Sequence, residues 1–182
     1  MFDQRGILKK ATLMGALAAL PLPSLAAETA HLYLKANGVD ILGDSTQSSL
    51  GRDGSIECVG FHMAVQTSPS GSPGAKVITC KKRIDKASPL LLKALAEQQV
   101  LDFTFKFFRP NPSGDGTTEQ YYTISSLQAG RLVSLEQALP STVDAATAAL
   151  PQLESMAIQV TGSLCSTFTS GGTTYCATVT PR

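Results

Sequence analysis

The stretch KKRIDKASPLLLKALAEQQVLDFTFKFF, from Lys81 to Phe108, changes its period twice within a short span, and few folds accommodate that. Val77 to Arg83 is rich in β-branched residues with partial alternation and reads as a strand. Asp85-Lys86-Ala87 breaks the run, and Ser88-Pro89 then places a capping residue before a proline whose fixed φ suits the first helical turn. Leu91, Ala94 and Leu95 share one face at i, i+3 and i+4, widened by Leu92 and Ala96, which predicts an amphipathic helix of about two or three turns ending before Gln98-Gln99. From Leu101 the period is two. Leu101, Phe103, Phe105 and Phe107 point one way, and Asp102, Thr104, Lys106 and Phe108 the other. A helix laid on a sheet satisfies all three segments.

The remaining chain supplies mainly strands. HLYLKANG (His31 to Gly38) puts Leu32, Leu34 and Ala36 on one face and ends in an Asn-Gly turn. A polar loop through GDSTQSSLGRDG leads to IECVGFHMAVQT, where Val59, Phe61, Met63 and Val65 alternate in one long strand, with Ile56 and Cys58 on its other side. SPSGSPG cannot continue a strand, RPNPSGDG is a long turn, and EQYYTISSL returns beside Leu101 to Phe108. RLVSLEQ after Gly130 and SMAIQVTG are further strands, separated by a loop, LPSTVDAATAALP, with a helical turn in DAATAA. Seven to nine short strands and one helix predict a mainly β fold, a closed or nearly closed antiparallel barrel with a helix on its flank.

Residues 1–26 have the layout of an export signal. Arg5, Lys9 and Lys10 precede ATLMGALAALPLPSLA, and Ser24 and Ala26 are placed for cleavage after Ala26. QRGILKK is similar to a twin-arginine signal with Gln4 in the first arginine position, so the general and twin-arginine routes both stay open. The apolar run is short for a membrane span and holds Pro21 and Pro23, so no stable membrane anchor is expected after cleavage. At 182 residues and 43% hydrophobic content, the remainder, residues 27–182, is expected to form one domain. A periplasmic or secreted location follows from the leader.

Export decides how the four cysteines are read, because an oxidising compartment favours disulfides. Cys165 and Cys176 flank TSGGT, and a hairpin centred near Ser170-Gly171 sets them opposite each other. Cys58 and Cys80 lie in two other strand-like runs and pair if those strands are neighbours. Four buried free thiols are the reading for a chain without a leader.

The search for chemistry finds little. Net charge is +1 with 16% charged residues, and Lys81-Lys82-Arg83 alternates across a strand end as a solvated edge, so nucleic acid is not expected as a partner. Gly43-Asp44-Ser45 is similar to the nucleophile block of GDS-type esterases. That chemistry needs a late histidine, and the chain's two histidines, His31 and His62, are early. A turn explains the triplet. His62 reads as a surface or rim residue, and the phenylalanine ladder as core. No metal site, cofactor or catalytic residue is expected.

IDKASPLLLKALAEQQVLDFTFKF closely resembles the Hcp family, the tube proteins of the bacterial type VI secretion system, in which Asp85, Lys86, Ala87, Ser88 and Pro89 correspond to the motif that introduces the single helix. HLYLKANGV resembles that family's first strand, and the block from Tyr121 to Val160 is similar to its later strands and connecting loop. The resemblance spans Ala30 to Val160. It implies a structural protein, not an enzyme: a barrel that assembles into hexameric rings, stacks into a tube, is itself exported, and works with effector cargo or secretion-apparatus proteins. Three features depart from the family pattern: the leader, the cysteines, and LCSTFTSGGTTYCATV in place of an aromatic C-terminal strand. The alternative they leave open is a monomeric periplasmic or extracellular binding module on the same barrel.

Overall fold

The computed structural model describes residues 28–67 and 73–179, so residues 1–27, where the export leader is expected, residues 68–72 of the Ser/Pro/Gly loop and residues 180–182 lie outside it. The elements follow in the order β1 (Thr29–Ala36), β2 (Val39–Ile41), β3 (Ile56–Cys58), β4 (Gly60–Thr67), β5 (Pro73–Arg83), α1 (Ser88–Ala96), β6 (Leu101–Pro110), β7 (Thr118–Ala138), β8 (Leu153–Val160), β9 (Gly162–Phe168) and β10 (Thr173–Val179). All pairings are antiparallel, along a path β2-β1-β6-β7-β8-β5-β4, with β3 on β1, β9 on β7 and β10 on β9. The Asn37-Gly38 turn joins β1 to β2 with both residues at positive φ, 48° and 81°.

The expected mainly β, antiparallel fold with one helix forms, and of the two expected forms, closed or nearly closed, the sheet is not closed into a barrel. The sheet is an open path, and the reason lies in the run predicted as one long strand. Ile56 and Cys58 are buried, Val59 is 51% exposed, and Phe61 and Met63 then pack against the core. The inward set therefore slips by one residue at Val59. Before the slip the chain pairs with β1, Cys58 opposite Ala30; after it the chain pairs with β5, Gly60 opposite Lys81. One run thus serves both sides of the opening, and among the described residues no ladder crosses it.

β7 corrects a second expectation. It is a single 21-residue strand where two were predicted on either side of Gly130. Its first half lies between β6 and β9, and its second half pairs with β8. Gly130 sits at the crossing, opposite both Leu101 and Val160. A Cβ there would meet the Phe103 ring at 3.1 Å and Ile158 Cγ2 at 3.2 Å, so glycine keeps the strand close to both neighbours instead of ending it.

The interior is filled. Leu32, Ile56, Ile78, Phe103, Phe105, Ile124, Leu132, Met156 and Ile158 are all at most 1% exposed. Each such side chain stabilises the fold by about 1.5–3 kcal/mol relative to exposure. α1 covers this core with Leu91 and Ala94, a narrower face than predicted, since Leu92 is 59% exposed. Phe108, assigned above to the polar face of β6, is buried as well, beyond a register shift at Phe107/Phe108. It lies under Arg52, whose guanidinium is 4.8 Å from its ring centroid.

Candidate functional site

The Asp85–Pro89 block is a corner where three distant segments are locked by charge. Lys82 and Glu154 face each other across β5 and β8, and both are fully buried. The Lys82 ammonium donates to Glu154 Oε1 at 3.0 Å, to Ser88 Oγ at 3.1 Å and to the Arg83 carbonyl at 2.8 Å, and lies 2.8 Å from Asp85 Oδ1. The Ser88 hydroxyl accepts from the Asp85 N–H and donates to Glu154 Oε1 at 3.1 Å, while Gln137 donates to Glu154 Oε2. Every buried polar group of this corner has a partner, which makes a buried ion pair tolerable.

Two sequence readings change here. Lys82 is not on a solvated edge: it alternates inward with Ile78 and Cys80, while Lys81 and Arg83 are exposed. Ser88 does not cap α1. The N-cap position is Ala87, whose N–H donates to Asp85 Oδ1 at 2.9 Å, and the Ser88 hydroxyl turns into the ion pair. Pro89 occupies the helix start, exposed, and Lys86 is turned outward to Asp44.

That Asp44 contact anchors one end of a strap, residues 42–55, laid over the outer face of β1. The Tyr33 hydroxyl donates to the Gly51 carbonyl at 2.8 Å, and Gly43 and Gly54 close the strap's base. Beneath it His31 is fully buried, its ring edge-on to Phe108. The Ser55 hydroxyl donates to the Arg52 carbonyl, so His31 Nδ1–H donates to Ser55 Oγ at 2.8 Å, and Nε2 has no hydrogen-bond partner. Burial holds the imidazole below its ordinary pKa; Glu57 opposes that shift and Arg52 adds to it. Tyr33 is raised, chiefly by burial. Sequence reasoning saw only a polar loop here, and nothing local signals that it folds back on His31. His62 is exposed. Ser45 lies on the strap with no hydrogen-bond partner for its buried Oγ, while His31 is engaged by Ser55 instead. Among the described residues no group of three or more His, Cys, Asp or Glu could hold a metal ion.

The cysteines form two bridges of different character. Cys58–Cys80 joins β3 to β5 beside the Val59 slip, with both residues at most 5% exposed. Cys165–Cys176 joins β9 to β10, where the two residues are directly opposite. Cys176 is exposed and Cys165 half-buried.

Surfaces available to other molecules lie away from the lock. Among the described residues β2 and β4 end the sheet path, and β10 pairs only with β9. Exposed apolar side chains accompany these edges: Val39 with Leu90 around a cleft between β2 and α1, and Phe168 with Tyr175 on the C-terminal hairpin. The connection from β7 to β8 exposes Leu139, Val143 and Leu150, with one helical turn closed by the Ala148 N–H on the Asp144 carbonyl.

A profile of the family described as "Type VI secretion system effector, Hcp" matches residues 33–159. Among solved structures, the chain is similar to the Hcp1 protein of the E. coli EAEC 042 pathovar at a TM-score of 0.69 and 22% identity, covering 84% of this chain and 99% of that one. It is similar to the secreted protein Hcp3 of Pseudomonas aeruginosa at 0.68 and 21%, with the same coverage of 84% and 99%. A further Hcp protein aligns at 0.72 and 19%, over 86% of this chain and 100% of that one. No curated protein matches the chain.

Proposed function

The chain belongs to the Hcp family of type VI secretion proteins, and from that premise we propose that it is a structural subunit, not an enzyme, which joins copies of itself into six-membered rings and a tube. The family match over residues 33–159 carries this reading. The fold agrees with it physically. Phe103, Phe105, Leu132 and Ile158 fill the interior to at most 1% exposure, so one subunit has no lumen and any channel has to arise between subunits. A head-to-tail ring needs two different surfaces per subunit. The chain offers several, at the β2 and α1 cleft, the β7 to β8 connection and the β9–β10 edge. The Asp85–Pro89 block then has a scaffold role: through Lys82 and Glu154 it fixes α1 on the strands that carry those surfaces.

In this reading residues 1–26 are the export leader, and the mature chain, residues 27–182, is periplasmic or secreted with both bridges formed. Secreted effectors would travel in the lumen of the assembled ring. Electron microscopy and light scattering of the mature, oxidised protein test the proposal: six-membered rings are expected, and a single mature chain at every concentration would overturn it.

A further inference from the structure

The two disulfides differ in what can reach them. Cys80 is fully buried and Cys58 nearly so, under core that includes Ile56 and Ile78. Cys176 stands exposed on β10, the outermost strand of its branch, while Cys165 faces it from β9, half-buried, with β7 on its far side. Thiol–disulfide exchange requires a thiolate to approach one sulfur in line with the bond, so access selects both the bridge and the sulfur attacked. The sulfur that leaves matters equally, because a better stabilised thiolate leaves faster. Ser163 supplies that stabilisation: its hydroxyl lies 3.8 Å from Cys165 Sγ, within hydrogen-bonding reach of a sulfur.

We infer that the C-terminal hairpin is a thiol-exchange site for small thiols of the glutathione class, entered at Cys176, with Cys165 as the leaving sulfur held by Ser163. The thiolate attacks Cys176 Sγ. A new sulfur–sulfur bond joins the small thiol to Cys176, the Cys165–Cys176 bond breaks, and its electron pair leaves on Cys165 Sγ. That thiolate accepts the Ser163 O–H and takes a proton from water. A second small thiol then attacks the mixed disulfide, releasing the oxidised small-molecule disulfide and leaving both cysteines reduced. Throughout, the hairpin stays tied to β7 by the pairing of Tyr122–Ser125 with Cys165–Phe168, and to the core by Val179. Cys58–Cys80 takes no part while the fold is intact.

The test is incubation of the full oxidised chain with reduced glutathione under native conditions, acid quenching, alkylation and peptide mapping. The first product expected is a glutathione adduct on Cys176 with Cys165 alkylated and Cys58–Cys80 intact. Ser163→Ala should slow formation of that adduct by about threefold, and Ser163→Thr should restore it. An adduct formed first on Cys165, or equal loss of the two bridges, overturns the inference. So does a Ser163→Ala rate equal to that of the unaltered protein.

Discussion

The Lys82 corner and the Cys165–Cys176 hairpin both hold strands in register, and they do so by opposite means. At the corner, Lys82 and Glu154 are 72 residues apart, meet directly at 3.0 Å, and have their remaining bonds satisfied by Asp85, Ser88, Gln137 and the Arg83 carbonyl. In the hairpin, the bonded residues are 11 apart, lie largely at the surface, and sit opposite each other because a local turn put them there. The first is closed by long-range folding and fails if one partner is removed. The second is set by local contacts, its partners facing each other across a single turn. The other disulfide, Cys58–Cys80, stands between them: covalent like the hairpin's, buried and non-local like the corner.

The sharpest way to break this contrast is to unbalance the corner. Lys82→Met leaves Glu154 and Asp85 without their cation and should lower stability by about 3–5 kcal/mol, read from the urea midpoint. The double variant Lys82→Met with Glu154→Met should recover a good part of that loss, because a well-packed apolar pair replaces the buried charges. Next comes the seam. Removing Cys58 and Cys80 together, each to Ala, should lower stability by about 3–4 kcal/mol for a 22-residue separation. The same pair of changes at Cys165 and Cys176, 11 residues apart, should lower it by about 2.5–3 kcal/mol, and faster amide exchange should be confined to β9 and β10. Global loss there, equal to that at the seam, would erase the distinction between the two bridges.

The smallest effect tests the strap. His31 is neutral in the fold because burial depresses its pKa, with Glu57 opposing and Arg52 assisting. The unfolded chain takes up the proton at the ordinary histidine value, so this contribution to stability is fully present above about pH 6.5 and falls as the pH drops through it. Urea midpoints across that range should decline on acidification, and His31→Gln should flatten the decline. An unaltered slope in that variant would place the titrating group elsewhere.

What could be read in advance follows the same division. The helix after Asp85–Pro89, the period-two run from Leu101 and the turn at Ser170-Gly171 were legible because each is set by neighbours in sequence. The inward turn of Lys82 was not, since its partner Glu154 arrives from a strand 72 residues later and alternation in KKR fits either face. Val59 misled for a related reason: its place in a clean alternation concealed a one-residue slip that only pairing with both β1 and β5 demands. Gly130 reads as a break because glycine usually weakens a strand, whereas here the crowding by Phe103 and Ile158 requires it. The strap is the plainest miss. A run of Gly, Ser and Asp gives no sign that Arg52 will cover Phe108 and seal His31.

The seam bridge has a topological consequence. Cys58 and Cys80 close a covalent macrocycle that contains all of β4 and most of β5, including the segment between them. A single cut anywhere inside that ring opens a loop without dividing the molecule. A protease that nicks the chain between Cys58 and Cys80 would add one water to the mass and leave two chains held in one molecule by the bridge until a reductant reached the core. The stretch between Cys58 and Cys80 can therefore be severed without being lost.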